Sequence, residues 1–115
     1  MAFVIKKEKS YTWPITISEP TDGGQFNHQK VSIKFKMLSQ DRINDIVKND
    51  NEEDADILTE VLIGWDEGTF KDESGNDLAF NADNKELILS VPYVRNGLVK
   101  GFFDSISGKQ FKRKN

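Results

Sequence analysis

The sequence predicts an α+β fold, in which an N-terminal antiparallel β-hairpin of two to three strands precedes a compact bundle of about four α-helices. Near the N-terminus, apolar and polar residues alternate with a period of two, which is typical of half-buried strands. After Met37 the apolar residues recur at helical spacing. The 115 residues suit a single domain, which we place at residues 1–108, with a flexible basic tail at residues 109–115.

The hairpin is predicted from two alternating stretches. Their shared apolar face consists of Tyr11, Trp13, Ile15, Ile17, Val31, Ile33, Phe35 and Met37. The connection at residues 19–30 contains a proline and two glycines, so we expect a long loop there. Pro14 lacks an N–H group, which places the first strand at a sheet edge. Phe3 and Ile5 are expected to extend this strand or to form another.

Four helices are predicted from capping and spacing signals. Their expected starts are Ser39, Asn51, Asn81 and Pro92. The second helix is expected to carry its apolar stripe as far as Trp65 and to end loosely at Gly64 and Gly68. A polar turn at residues 72–77 follows, and Phe80 is expected to close it against the core. Gly108 suits the C-terminal cap of the fourth helix.

The fourth helix carries the clearest candidate for partner binding. Its apolar residues cover about half of the circumference, which is wider than one packing stripe needs. Gly97 and Gly101 leave a flat strip, and Val99 and Phe103 lie at one edge of the apolar arc. Each mid-helix glycine costs roughly 1 kcal/mol relative to alanine, so either packing within the chain or a partner helix must offset that cost. Ile63, on the polar side of the second helix, is a second exposed apolar candidate.

Charge is distributed unevenly along the chain, although the net charge is only −3. Residues 1–40 carry net +3, residues 41–86 carry −11, and residues 87–115 carry +5. Such a pattern favours either solvated helix faces with a basic tail, or attraction between copies of the chain. The strand face with Lys34 and Lys36 is expected to meet an acidic neighbour. The acidic middle argues against a nucleic-acid surface over the whole domain.

The residue types that support catalysis or metal binding are scarce. The chain has no cysteine, which excludes disulfides and thiolate metal sites. His28 is the single histidine and is expected to be a solvated loop residue. Asp72, Ser74 and Asn76 have the spacing of calcium ligands, but Asp77 stands where a calcium loop needs glycine. We therefore expect no catalytic residues, no metal and no cofactor, and the protein is not expected to be an enzyme.

These structural signals also resemble those of a known protein family. The motifs are Ile63-Gly64-Trp65, Asp72-Glu73-Ser74-Gly75, Leu78-Ala79-Phe80, Pro92-Tyr93-Val94 and Phe102-Phe103, after an N-terminal hairpin and before a basic end. In this order they resemble the tail assembly chaperones of long-tailed bacteriophages and prophages. The similarity extends from about Val31 to Lys114.

The resemblance implies a function in virion assembly. Such proteins bind the aggregation-prone tape measure protein in the host cytoplasm and keep it soluble while tail tube subunits polymerise around it. They then leave, so they are absent from the mature virion. Many copies act together as rings or helical assemblies, and in many phages a frameshifted longer form recruits the tail tube protein.

The residues themselves add to this expectation and leave alternatives open. A largely helical client suits a strip with small residues, and many weak sites along one client provide avidity. Gly97, Val99, Gly101 and Phe103 are therefore the candidate helix contacts. No stretch reaches the length of a membrane span. The alternatives are a small structural or connector subunit of the phage tail, and a nucleic-acid-binding accessory domain that uses the basic tail.

Overall fold

The computed structural model describes residues 2–6, 9–48 and 54–107, with the side chains of 46–48 and 54–56 left aside. In chain order its elements are β1 (Ser10–Thr21), β2 (Gln25–Lys36), α1 (Gln40–Lys48), α2 (Asp54–Val61), β3 (Leu62–Trp65), α3 (Ala82–Leu89) and α4 (Pro92–Ile106). The predicted α+β fold, with the hairpin first and the helices after it, is confirmed. The expected caps Asn51 and Gly108 and the tail at 109–115 lie outside the described residues.

The three strands form an antiparallel sheet with the order β1-β2-β3. Strand β1 lies at an edge, which confirms the interpretation of Pro14. The hairpin is longer than predicted, because its pairing continues to Thr21 opposite Gln25. Gly23 and Gly24 adopt positive φ angles of 83° and 78° and close a tight turn. The expected long loop was wrong, since the polar ends of both strands pair without an apolar face to signal them.

The third strand corrects the prediction for the second helix. The helix ends at Val61, and Leu62–Trp65 pairs with β2 instead. A run of four apolar residues fits either period, and Gly64 disfavours a helix. Pairing with Ile33 and Phe35 supplies backbone partners to β2, with a bulge in the register. Tertiary pairing therefore decides the structure of this segment.

The core lies between the sheet and the helices. Its buried members are Ile15, Ile17, Ile33, Phe35, Leu38, Ile57, Leu58, Val61, Leu62, Trp65, Ile88, Val94, Leu98, Val99 and Phe102. Odd-numbered residues of β1 and β2 supply the sheet's share, because side chains alternate between the two faces of a strand. We call this buried side the inner face and the opposite side the outer face. Trp13 and Met37, at the margin, remain 36% and 38% exposed.

Helix α4 runs antiparallel to β1 and covers it along most of its length. Near the helix start, Tyr93 donates a hydrogen bond to Glu19 (3.3 Å), and near its end the hydroxyls of Tyr11 and Ser105 lie 2.7 Å apart. The contact of α4 with β1 is far more extensive than its contacts with α2 and α3. The sheet thus fixes the position of this helix.

Local capping signals are confirmed where the structure describes them. Ser39 accepts a hydrogen bond from the N–H of Arg42 (3.2 Å), and Asn81 accepts one from the N–H of Asn84 (2.8 Å). Pro92 occupies the first turn of α4, as expected. None of the described helices is both long enough and apolar enough to span a membrane.

The segment between β3 and α3 folds onto Trp65. The rings of Phe70 and Phe80 contact the Trp65 ring edge-on, with centroids at 5.0 and 4.9 Å. The indole N–H donates to the Leu78 carbonyl (2.8 Å). Phe80 therefore closes this segment, as predicted, and one side of its ring stays exposed.

The N-terminal segment differs from the prediction. Residues 2–6 form no strand, and the side chains of Phe3, Val4 and Ile5 are 91%, 73% and 82% exposed. Phe3 and Ile5 therefore neither extend β1 nor add a strand within this chain. Farther along the chain, the carbonyl of Lys9 accepts a hydrogen bond from the N–H of Met37 (2.8 Å).

Candidate partner-binding surface

The two glycines of α4 mark where the helix approaches β1. A Cβ atom at Gly97 would lie 2.7 Å from the carbonyl oxygen of Thr16, and one at Gly101 would overlap the side chain of Ile15. The close approach predicted from the glycine spacing is therefore made within the chain, by β1. This packing, rather than a partner helix, offsets the cost of the glycines.

The other predicted contact residues lie in different environments. Val99 is buried in the core, and Phe103 is half-buried with its ring centroid 5.7 Å from that of Phe102. Ile63 belongs to β3 rather than to a helix and is also half-buried. Val99 thus presents little surface to a partner, whereas Phe103 and Ile63 present part of theirs.

A groove of about 640 Å³ runs along the free edge of β1 beside α4. We call it the edge groove. Its lining includes Pro14, Thr16, Pro20, Phe26, Gly97 and Lys100. The two prolines interrupt the row of N–H groups at this edge, which disfavours pairing with another strand. The lining also includes the polar residues Ser18, Asn96 and Asp104. Phe26 remains 59% exposed, which is unusual for a large aromatic side chain.

Three lysines of β2 form a stripe on the outer face. Lys30, Lys34 and Lys36 are exposed and lie opposite Thr16, Thr12 and Ser10 of β1. Because directly opposed residues share a face, this lysine stripe and the edge groove belong to one continuous surface. Within the described β1–β2 pairing, no carboxylate stands opposite these lysines.

Lys34 is supported by the neighbouring strand. It pairs with Gly64 of β3, and a Cβ atom at Gly64 would lie 3.7 Å from the Lys34 side chain. The small residue leaves the aliphatic stem of the lysine room to lie across β3. Such a stem covers apolar surface while its ammonium group stays in water.

A second groove, of about 850 Å³, lies on the inner face. We call it the inner groove. Its apolar floor includes Ile17, Val31, Phe70, Leu87, Ile88 and Val91, and its rim includes Glu19, Lys71, Asp72, Glu73 and Tyr93. It lies beside the distal part of β2, where β3 no longer pairs with that strand.

Hydrogen bonds fix the charges on the rim of the inner groove. Asp72 accepts from the N–H groups of Asn76 and Ser74, each at 2.9 Å, and the bond from Asn76 contributes most to lowering the pKa of Asp72. Burial, and then the charge of Glu19, raise the pKa of the Tyr93 hydroxyl. Lys71 is paired with Asp77 at 2.9 Å. At neutral pH the rim therefore carries negative charge.

Two further polar contacts serve packing. Burial raises the pKa of Tyr11, although its hydrogen bond with Ser105 opposes that shift. Burial lowers the pKa of Lys85, whose ammonium group donates to the carbonyl of Thr59 (2.7 Å). Both contacts join α3 or α4 to the rest of the fold.

One side-chain pair was missed from the sequence. Ser18 Oγ and His28 Nδ1 lie 2.7 Å apart across the hairpin, and the His28 ring stacks on Phe26 at 6.3 Å. A serine–histidine contact also occurs in nucleophilic catalysis, but there a third group orients the histidine. Both side chains are partly or fully exposed on a strand surface, so we interpret the pair as a cross-strand contact. A prediction of the three-residue turn at 22–24 would have placed Ser18 opposite His28 and so revealed the pair.

Metal chemistry has no evident centre in the described part of the chain. No group of three histidine, cysteine, aspartate or glutamate side chains lies close enough there to hold an ion. A scan against protein-family models and searches of curated proteins and of solved structures found no match to this chain.

Proposed function

We propose that the protein is a phage tail assembly chaperone that holds helical segments of the tape measure protein on its outer face. One observation carries the proposal: the edge groove and the lysine stripe form one surface, rich in apolar and basic side chains, that the described residues leave uncovered. The resemblance of residues 31–114 to such chaperones supports the same assignment. This resemblance is the reason why the tape measure protein is proposed as the client.

The outer face suits an amphipathic helix with acidic flanks. Apolar side chains of the client lie against Pro14, Pro20 and Phe26, while its carboxylates meet Lys34 and Lys36. Helix-in-groove recognition uses such a stripe of apolar anchors, and opposite charges orient the client more than they tighten its binding.

The shallow form of this surface fits a transient holder. We expect each contact with this exposed surface to be weak, so that a single copy exchanges rapidly. Many copies along one long client keep it covered through avidity, and each copy can be displaced by an arriving tail tube subunit. A longer frameshifted form would bring the tube protein to the same client. The proposed location is the cytoplasm of the bacterial host, outside the mature virion.

Co-expression with the tape measure protein encoded in the same genome tests the proposal. We expect the soluble fraction of the tape measure protein to rise several-fold, and the gain to be lost with Phe26→Ala combined with Lys34→Glu and Lys36→Glu. Met37→Ala is the matched control, since Met37 is a partly exposed apolar residue outside the edge groove. Reversing acidic residues of the client to lysine should restore binding to the lysine-to-glutamate variant.

Other outcomes select the alternatives. Permanent incorporation of the protein into tail particles would identify a structural subunit. DNA binding that weakens with salt and disappears when residues 109–115 are removed would identify a nucleic-acid-binding domain. A tape measure protein that stays insoluble in the presence of the wild-type chain contradicts the proposal. The proposal also predicts that a neighbouring gene encodes a very long helical protein.

A further inference from the structure

We propose that the N-terminal segment Phe3–Ile5 of one copy adds as a β-strand to the free edge of β2 in the inner groove of a second copy. This inference goes beyond the proposed function, because it concerns only copies of this chain and holds for any client. It joins two features that the chaperone surface does not use: an exposed apolar segment and a sheet edge without a partner.

The residue types of the segment are typical of a strand, but the segment pairs with none of the described strands. Phe3, Val4 and Ile5 are the most exposed large apolar side chains among the described residues, at 91%, 73% and 82%. Aromatic and β-branched residues are typical of strands. Three adjacent exposed apolar side chains indicate an interaction site, whereas single ones are ordinary.

The sheet offers an edge that is long enough for this segment. Strand β3 pairs only with Ile33–Phe35, and after Trp65 the chain leaves the sheet in a turn that contains Gly68, which has a φ angle of 85°. Among the described residues, no strand pairs with this side of β2 over residues 25–32, beside the inner groove. Unpaired N–H and C=O groups at such an edge are a template for an added strand.

The inner groove complements the side chains of the segment. Side chains of a strand alternate between faces, so Phe3 and Ile5 enter the apolar floor together while Val4 faces outwards. Lys6 follows in the same segment, and the positive charge of the segment is attracted to the rim of the groove, which carries Glu19, Asp72 and Glu73.

The distance along the sheet requires that the segment come from another copy. Lys9 is anchored opposite Met37, six residues along β2 from the nearest groove residue of that strand, Val31. A strand added beside Val31 would lie six residues along the sheet and two strand spacings across it from Lys9. These two positions are at least about 22 Å apart. The four residues from Lys9 to Ile5 span at most about 14 Å. The segment cannot reach the inner groove of its own chain.

The geometry also sets the kind of assembly. The donating segment and the receiving edge are different surfaces, so the contact is heterologous and can continue from copy to copy as a ring or filament. Pro14 and Pro20 interrupt the N–H groups of the β1 edge, and β3 offers only four residues of edge, so the distal part of β2 is the longest uninterrupted position for strand addition.

Light scattering of the full chain across a concentration range tests the proposal. We expect the mean mass of the wild type to rise above the monomer with concentration. Phe3→Ser combined with Ile5→Ser should raise the dissociation constant by at least about 100-fold, because two apolar side chains lose their burial. Val4→Ser is the matched control and should retain assembly. Neither variant should alter thermal unfolding of the monomer, since this segment is outside the core.

A mixing experiment identifies the two surfaces. A groove variant, Leu87→Asp, keeps its own segment, and the segment variant keeps its own groove, so each alone should be monomeric and their mixture should form 1:1 pairs. The absence of cysteine permits a second readout: a thiol cross-linker should join Ile5→Cys of one copy to Gln29→Cys of another. A wild type that remains monomeric at millimolar concentration contradicts the proposal. So does a cross-link that forms within single chains carrying both cysteines. Because only this chain is used, such a failure leaves the client proposal untouched.

Discussion

The two halves of the hairpin share one continuous ladder but differ in burial. In the half farther from the hairpin turn, Ile15, Ile33 and Phe35 are buried under α4 and beside β3. In the distal half, every residue from 19 to 30 is exposed. Strand pairing is the same in both halves, so the hydrogen-bonded ladder does not decide their function. The helix cover does: it commits the inner face of one half to the core, whereas the outer face stays largely exposed along both halves and is available for contacts.

The largest expected difference between the halves comes from two phenylalanines of β2. Phe35→Ala removes a fully buried ring that contacts Phe102 at 5.4 Å, and should lower the free energy of unfolding by about 3–5 kcal/mol. Phe26→Ala truncates a ring that is 59% exposed, and should change it by less than about 0.5 kcal/mol. Urea unfolding followed by circular dichroism measures both. Equal losses at the two positions would remove the distinction between the halves.

The close contact between α4 and β1, which we call the seam, provides the second test. Gly97→Ala places a Cβ atom against the backbone oxygen of Thr16, which a side-chain rotation cannot relieve. We expect a loss of about 1–3 kcal/mol, although alanine favours a helix by about 1 kcal/mol. Gly64→Ala is the control, because its Cβ would make ordinary contacts with Lys34. A stabilised Gly97→Ala variant would show that the helix does not need this close approach.

A smaller effect is expected at the end of the same seam. The Ser105 hydroxyl donates to the carbonyl of Phe102 (2.6 Å), so its oxygen accepts from Tyr11. Tyr11→Phe should cost about 0.5–1.5 kcal/mol. The pKa of Tyr11 is raised by burial, so its contribution is present below the unfolded pKa of about 10 and is lost as the pH rises through the folded value. Unfolding of the two proteins compared between pH 8 and 11 should show a steeper alkaline decline for the wild type.

The smallest effect is expected in the exposed turn of the inner groove. Asp72→Ala removes acceptors for the N–H groups of Ser74 and Asn76 and should loosen that turn without unfolding the domain. The pKa of Asp72 is lowered, so its support is present above its unfolded pKa and is lost as the pH falls through the folded value. Amide exchange at residues 73–76 measures this. Protection at these amides that changes neither in the variant nor at low pH would contradict the assignment.

Local signals predicted much of this structure. Ser39, Asn81 and Pro92 act within a few residues of chain, and their capping functions were predictable without the fold. Leu62–Trp65 was predicted wrongly because its conformation depends on β2, a partner distant in sequence. The polar distal strands were missed for a related reason, since an exposed ladder leaves no apolar pattern.

The candidate surface was predictable only in part. Strand alternation was enough to place Lys34 and Lys36 on an exposed face. The spacing of Gly97 and Gly101 predicted a close approach, but only the topology identifies β1 as its partner. The edge groove needed the register, because Pro20 and Phe26 become neighbours only when the hairpin turn has three residues.

Hydrogen–deuterium exchange on the protein alone and bound to a tape measure segment compares the two halves most directly. Slower exchange should appear along the outer face, in peptides covering residues 12–20 and 25–36 and the groove-lining part of α4 at 96–104. The buried strand β3 should exchange at the same rate in both states. Protection confined to other surfaces, or none at saturating client, would contradict the assignment of client binding to the outer face.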